Sequence, residues 1–154
     1  MWDHMDAEHY IVERRLTERV LNYWRDLCQG RPMPEESDID PAILGKDWPH
    51  CFLLQTRDID QTDEFNFTYL GEAIATTYAQ AGIDPNNLHL IGPNAFYLAP
   101  LFKKVIHERM PLIDHSHFFA LDGRKVFYRQ CLLPLGRKKK VEAIFGAMLF
   151  KVVV

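Results

Sequence analysis

A guanidinium and a thiol stand two residues apart in "FYRQCLLPLG", Phe127–Gly136, inside a run that is otherwise largely apolar. On a strand, residues two apart share a face, so Phe127, Arg129 and Cys131 would project together. A thiol becomes a nucleophile when its environment favours the thiolate. Cys131, however, sits between Gln130 and Leu132 on an expected interior strand, where burial raises a thiol's pKa and leaves it inert. No G-x-S-x-G elbow occurs, so nucleophilic chemistry of that type has no support either. A guanidinium on such a strand needs a carboxylate or carbonyl to answer it. Asp38, Asp40 and Glu72 lie next to structured segments. The preferred reading is a structural ion pair between Arg129 and one of these acids, tying the "DIDP" segment to the sheet as bidentate pairs do well. An anion-binding arginine in a pocket is the alternative.

His115 and His117 in "IDHSH" would also share a strand face. Two imidazoles without a third ligand do not make a metal site, and His4, His9, His50 and His89 lie elsewhere in sequence. Surface histidines, and no metal, are therefore expected. Cys28, Cys51 and Cys131 are an odd, widely spaced set with no CxxC pair. They suggest neither a disulfide framework nor a zinc knuckle, but small reduced core residues.

The elements that must position these groups fit within one chain of 154 residues, 47% hydrophobic and 25% charged, with a net charge of −3. That is ordinary for a soluble globular domain, and the weak negative charge points away from nucleic acid. The one basic run, Arg137 to Lys140, falls between apolar segments and reads as a solvated hairpin tip. The start, "MWDHMDAEHYIVERR", carries early acids and no uninterrupted apolar core. It resembles neither a secretory signal nor a membrane span, and a cytoplasmic address is expected.

Val12, Leu16, Val20, Trp24 and Leu27 recur at helical spacing between Ala7 and Gln29, without proline or glycine, which predicts a long amphipathic helix. Gly30, Pro32 and Pro34 end it. "RPMPEESDIDP" then reads as an extended crossing, with a helical turn over Pro41 to Leu44 capped by Asp40. "CFLLQT" and "EFNFTYL" predict two antiparallel strands around the loop "RDIDQTD". "GEAIATTYAQAGI" predicts a helix, "DPNNLHLIGPN" an irregular loop, and "APLFKKVIHERM" a second helix with Pro100 near its start. Three strands follow, in "LIDHSHFFAL", "KVFYRQCLLPL" and "VEAIFGAMLFKVVV", the first two joined at Asp122-Gly123. Both phases of "AIFGAMLF" are apolar, so both faces of that strand should be covered, one by the two middle helices and the other by the long N-terminal helix or a partner chain.

This order, together with "YWRDLCQGRPMPEESDIDP", "WPHCFLL", "FNFTYLGEAIATTY", "YRQCLLPLG" and "IFGAMLF", resembles the PAS domain family, in particular short single-domain proteobacterial PAS-like proteins. "YLG" before a helix, and "LPLG" paired with a later "FG" strand, are its more specific elements. The resemblance implies an α+β fold: a five-stranded antiparallel sheet with helices over one face, preceded by the long N-terminal helix. It also implies a non-enzymatic sensory or interaction role, often with a small-molecule pocket. Residues 1–30 are then the N-terminal helix and 31–154 the PAS-like domain. Haem-binding PAS domains use a histidine on the helix before the third strand, where His107 lies. Its neighbours Lys103, Lys104, Glu108 and Arg109 suggest a solvated face instead, so no cofactor is required. The reactive cysteine of flavin-binding PAS domains has no counterpart between Gly71 and Pro93.

Three further expectations follow. An apolar pocket should be lined by Tyr78, Phe96, Leu98, Phe102 and Ile106, because aromatics between Tyr69 and Phe102 exceed what one thin core layer needs. The stripe Val12, Leu16, Val20, Trp24 and Leu27 should form a homodimer interface, since a helix of that span extends roughly 34 Å, longer than a typical strand. With the last strand running to Val154, a signal would pass through a partner protein or the oligomer. The rival reading is a small enzyme of the ketosteroid-isomerase-like cone fold, with Asp114 and Tyr128 as its acid and base candidates. Strand order distinguishes the two, because PAS sheets place the first and last strands side by side.

Overall fold

The apolar positions of the last two strands fall on both faces, and the structure roofs each face with helix. This computed structural model describes residues 12–56, 66–83 and 92–153, the side chains of residues 92–97 excepted. In chain order the elements are α1 (Arg15–Cys28), a 3-10 turn (Glu36–Asp38), α2 (Pro41–Leu44), a second 3-10 stretch (Gly45–His50), β1 (Cys51–Gln55), β2 (Asn66–Leu70), α3 (Glu72–Gln80), α4 (Gly92–Glu108), β3 (Leu112–Phe119), β4 (Lys125–Arg137) and β5 (Lys140–Val153). The five strands form one antiparallel sheet in the order β2-β1-β5-β4-β3. First and last strands are adjacent, Cys51 opposite Ala147 and Leu53 opposite Phe145. This is the order that separates the PAS reading from the cone-fold enzyme.

Val126, Tyr128 and Leu132 of β4, with Phe52, Leu54, Ile144 and Met148 from its neighbours, face α3 and α4 and pack with Ile74, Tyr78, Leu98, Phe102 and Val105. The opposite face, Cys51, Cys131, Leu133, Leu135, Phe145 and Ala147, packs against Leu16, Val20 and Trp24 of α1. The N-terminal stripe therefore covers its own sheet, and the expected dimer interface is corrected. Val12, Leu16, Val20 and Trp24 are buried within the chain and Leu27 is half-buried. The geometric premise also reverses. Helix α1 has 14 residues, about 21 Å at 1.5 Å per residue, whereas β5 has 14 residues and runs about 45 Å. Residues 12–14 are not helical, and residues 7–11 of the expected helix lie outside the described residues. Because helix and sheet share one core, the boundary at residue 30 marks chain order and not a separate packing unit.

Strand β3 pairs with β4 only as far as Leu112 opposite Leu132. Beyond that point other groups take the backbone bonds of β4: Trp24 Nε1 donates to the Pro134 carbonyl at 2.9 Å, and Gly136 N donates to the Pro34 carbonyl at 2.9 Å. The crossing after α1 thus runs along the free edge of β4. It is held by Arg31, 3.0 Å from Asp38, by the Tyr23 hydroxyl accepting from Asp40 N at 2.8 Å, and by Asp40 capping α2 through Ala42 N.

Two glycines explain why the "YLG" and "FG" elements need glycine. A Cβ at Gly71 would press on the Pro49 carbonyl and lie 2.7 Å from the Cys51 oxygen, and one at Gly146 would enter the Phe52 ring. Beside Gly71, Tyr69 stacks on Trp48 at 4.0 Å and donates its hydroxyl to the Trp48 carbonyl at 2.9 Å. Helix α4 begins earlier than expected, at Gly92, with Pro93 in the tolerated first turn and Pro100 inside the helix. Residues 84–91 of the expected loop, and 57–63 of the expected hairpin loop, lie outside the described residues.

An ion pair unforeseen in the sequence joins α1 to the second 3-10 stretch. Arg19 Nε and Nη2 donate to the two oxygens of Asp47, each at 2.9 Å, and Asp47 is buried. These bonds hold the Asp47 carboxyl below the ordinary carboxylate range, against the opposing effect of burial. The unfolded chain, whose Asp titrates near about 3.9, then binds the proton more readily than the folded one. The pair's stabilisation is complete above that value and is lost as pH falls through the lower folded one. Asp47→Asn should cost about 1–2 kcal/mol at pH 7, towards the lower end because Arg19 is half-exposed. In thermal melts the gap between wild type and variant should be constant at pH values well above the unfolded Asp value and close as the solution is acidified below it. Leu16→Glu with Val20→Glu should unfold the domain, because each charge buried at that contact costs on the order of several kcal/mol. Loss of the sheet signal in circular dichroism checks this, and a well-folded variant would refute the packing of α1.

Candidate functional site

The inner face of the sheet is where the resemblance places a pocket. Phe52, Phe67, Leu70, Ile74, Tyr78, Leu98, Phe102 and Met148 surround a cavity there of about 10 Å³, with Gln130 as the one amide side chain that the described residues contribute to it. Such a volume admits no more than one water. Of the expected lining, Tyr78, Leu98 and Phe102 are present, Ile106 instead lines a groove elsewhere, and the side chain of Phe96 lies outside the described residues. The aromatic surplus closes the space that it was expected to border. Tyr78 stacks on Phe118 at 5.5 Å, and Phe52 meets Phe67 and Phe102 edge-on at 5.7 and 6.4 Å.

Gln130 is the feature that sequence reading missed. It follows the strand phase of Val126, Tyr128 and Leu132, all buried on the inner face, and this phase was the available signal. Its side chain is fully buried. Nε2 donates to Asp114 Oδ2 at 3.0 Å, across the β3–β4 pair where the two residues are opposite each other. That bond fixes which end of the amide carries the nitrogen. Oε1 is left without a hydrogen-bond partner among the described residues. Asp114 is thus tied to Gln130, while Tyr128 is buried among the rings of Phe118 and Phe150.

Arg129 lies on the other face. It is 9% exposed, and its Nε donates to the Val12 carbonyl at 3.1 Å. The expected ion pair is corrected: Asp38 pairs with Arg31, Asp40 caps α2, and Glu72 is an exposed first residue of α3. The guanidinium anchors the chain just before α1, through a carbonyl and not a carboxylate. Cys131, beside it, has its thiol pushed up to about 12 by burial, and burial raises Cys51 as well; neither is poised as a nucleophile.

His115 and His117 do share an exposed face of β3. Burial and then Lys125 lower the His117 pKa. Among the described residues no three potential ligands gather as a metal set. His107 is exposed near the end of α4 and borders the outer groove, away from the inner cavity. Among the described residues, no helix is long and apolar enough to cross a membrane.

The sequence pattern of PAS domains matches residues 12–149, nearly the whole chain. The chain belongs to the PAS domain family. Among solved structures, the light-oxygen-voltage (LOV) protein of Rhodobacter sphaeroides is similar at TM-score 0.50 and 10% identity, covering 71% of this chain and 63% of that one. The N-terminal domain of a Marinobacter aquaeolei diguanylate cyclase with PAS/PAC sensor gives TM-score 0.46 and 15% identity over 64% of this chain and 91% of that one. The PAS domain of the fruit-fly ELK potassium channel gives 0.46 and 14% over 73% and 92%. Comparison with curated proteins found no match. The matched span begins at Val12, so this PAS domain includes α1 and the carbonyl that Arg129 holds. Arg129→Met should remove that one anchor, lowering stability by about 1 kcal/mol and speeding amide exchange in the first turn of α1. Denaturant titration and hydrogen exchange check both, and a loss of several kcal/mol would instead indicate a charged partner.

Proposed function

We propose that this PAS domain is a non-enzymatic sensory module whose inner core recognises a small, mainly apolar ligand bearing one hydrogen-bond donor. The observation that carries the reading is Gln130, fully buried, its carbonyl oxygen unanswered among the described residues and its side chain among those that surround the apolar cavity. A buried acceptor left unsatisfied costs about 1–3 kcal/mol, and a ligand N–H or O–H would recover it. The cavity in its present form has room for no more than one water. A ligand must therefore displace the side chains around it, and the partly exposed Phe67 and Leu70 are the least confined of these. The non-enzymatic part of the reading is supported by the raised thiols and by the engagement of Asp114 with Gln130.

Indole and benzofuran, near-isosteres with and without an N–H, provide the test. Indole should bind saturably, and at least about tenfold more tightly than benzofuran, because a site with a buried polar group rejects an analogue that cannot pair with it. Gln130→Leu should abolish that preference while leaving the unliganded melting temperature unchanged or raised. Equal affinities for the two probes, or no saturable binding of either, would sink the proposal. Native mass spectrometry of the purified protein adds a direct search for a co-purifying small molecule and reports the oligomeric mass.

A further inference from the structure

The basic run at the β4–β5 hairpin builds more than a solvated tip. Arg137 pairs opposite Lys140, so Lys138 and Lys139 alone make the turn, with φ of 52° and 65°. Two-residue turns of this hand favour Asn and Gly, yet here both positions are lysine. Arg109, just after α4, has φ of 57°. Three of the four non-glycine residues with positive φ among the described residues are thus basic and meet at one place. Arg109 Nη1 donates to the Lys139 carbonyl at 3.3 Å, joining the end of α4 to the hairpin.

Between them lies a half-open cleft of about 690 Å³, bordered by Gln55, Ile106, His107, Arg109, Lys139 and Lys140, a volume within the range of small-molecule sites. Among the described residues its charges are unbalanced: Glu142, the one acid that these contribute to its wall, is engaged by Arg137 at 3.2 Å. Arg109 bonds a neutral carbonyl, and Lys139 and Lys140 have no acidic partner among the described residues. Cations on a concave wall concentrate their field in the space they enclose. The negative end of the α4 dipole opposes an anion here, so attraction must come from the side chains and must weaken with salt.

We propose that this cleft binds a phosphate-bearing small molecule, with Arg109, Lys139 and Lys140 holding two or three linked phosphates. A guanidinium fork and two mobile ammonium groups suit such a chain of oxygens. A small ligand is favoured over nucleic acid by the bounded volume and by the net charge of −3 on the whole chain. The site is separate from the inner cavity and does not depend on the reading given for Gln130.

Inorganic tripolyphosphate, ATP and citrate, each titrated into the ¹⁵N-labelled full chain at low and moderate salt, test this. Tripolyphosphate should shift the amides of Arg109 and Lys138–Val141 saturably and bind at least about tenfold more tightly than citrate. Its affinity should fall with salt and drop about tenfold or more in Lys139→Gln with Lys140→Gln, whose exposed positions leave the fold intact. ATP binding more tightly than tripolyphosphate would identify a nucleotide, and equal affinities a free polyphosphate; either result supports the site. Unsaturable shifts, equal binding of citrate, or undiminished affinity in a double variant whose melting temperature is unchanged would overturn it.

Discussion

Strands β4 and β5 are apolar on both faces through their middle, and an antiparallel sheet of that kind has to be covered twice. Leu132 and Ile144 face one way while Cys131, Leu133, Phe145 and Ala147 face the other, all fully buried. Helices α3 and α4 supply one cover and α1 the other. The second cover also answers a backbone problem. Where β3 stops, the Pro134 carbonyl and the Gly136 amide would lack partners inside the protein, and Trp24 and Pro34 provide them. Satisfying such groups is close to obligatory in a buried setting, which gives α1 and the crossing a fixed register on the sheet. The stripe that could have joined two chains is thereby used within one.

Under the other cover, aromatic side chains take most of the volume. Phe52 lies over Gly146, the one residue of β5 at that point without a Cβ to obstruct it. Tyr78, Phe118 and Phe150 form a connected group of rings. Gln130 is the polar exception in this layer. Local rules would place an apolar side chain at its position, and sites that break local rules are where function is sought first. Its amide is half satisfied by Asp114, and the remaining oxygen is left without a partner among the described residues.

Helix α4 touches both the inner core and the basic cleft. Phe102 and Val105 belong to the inner core, while Ile106 and His107 border the basic cleft. The Arg109 bond to Lys139 ties the end of this helix to the tip of the two longest strands. A shift of α4 that enlarged the inner cavity would therefore have to move, or break, a contact at the cleft. Coupling between the two regions needs no longer path than this one helix.

Strand phase, turn residues and helical periodicity were enough to order the elements and to bury both faces of β5, because these follow from neighbours in sequence; the single five-stranded antiparallel sheet was what the family resemblance implied. The short motifs "YLG" and "FG" were legible for the same reason, although their cause, a carbonyl and a ring crowding the two glycines, lies in other elements. The partner of Arg129 was not legible: burial demands a partner but does not say which of many carbonyls or carboxylates arrives, and the Val12 carbonyl carries no sequence signature. Nor was the use of the α1 stripe, since an apolar face fits a sheet and a second helix equally well until strand length and register are known. The aromatic surplus could line a pocket or fill it, and only the packing of Phe52, Tyr78 and Phe102 decided that it fills it. The basic run was visible from the start, but its meeting with Arg109 across 30 residues of chain depended on the tertiary fold, because charge is read along a sequence whereas the field is set by distance in space.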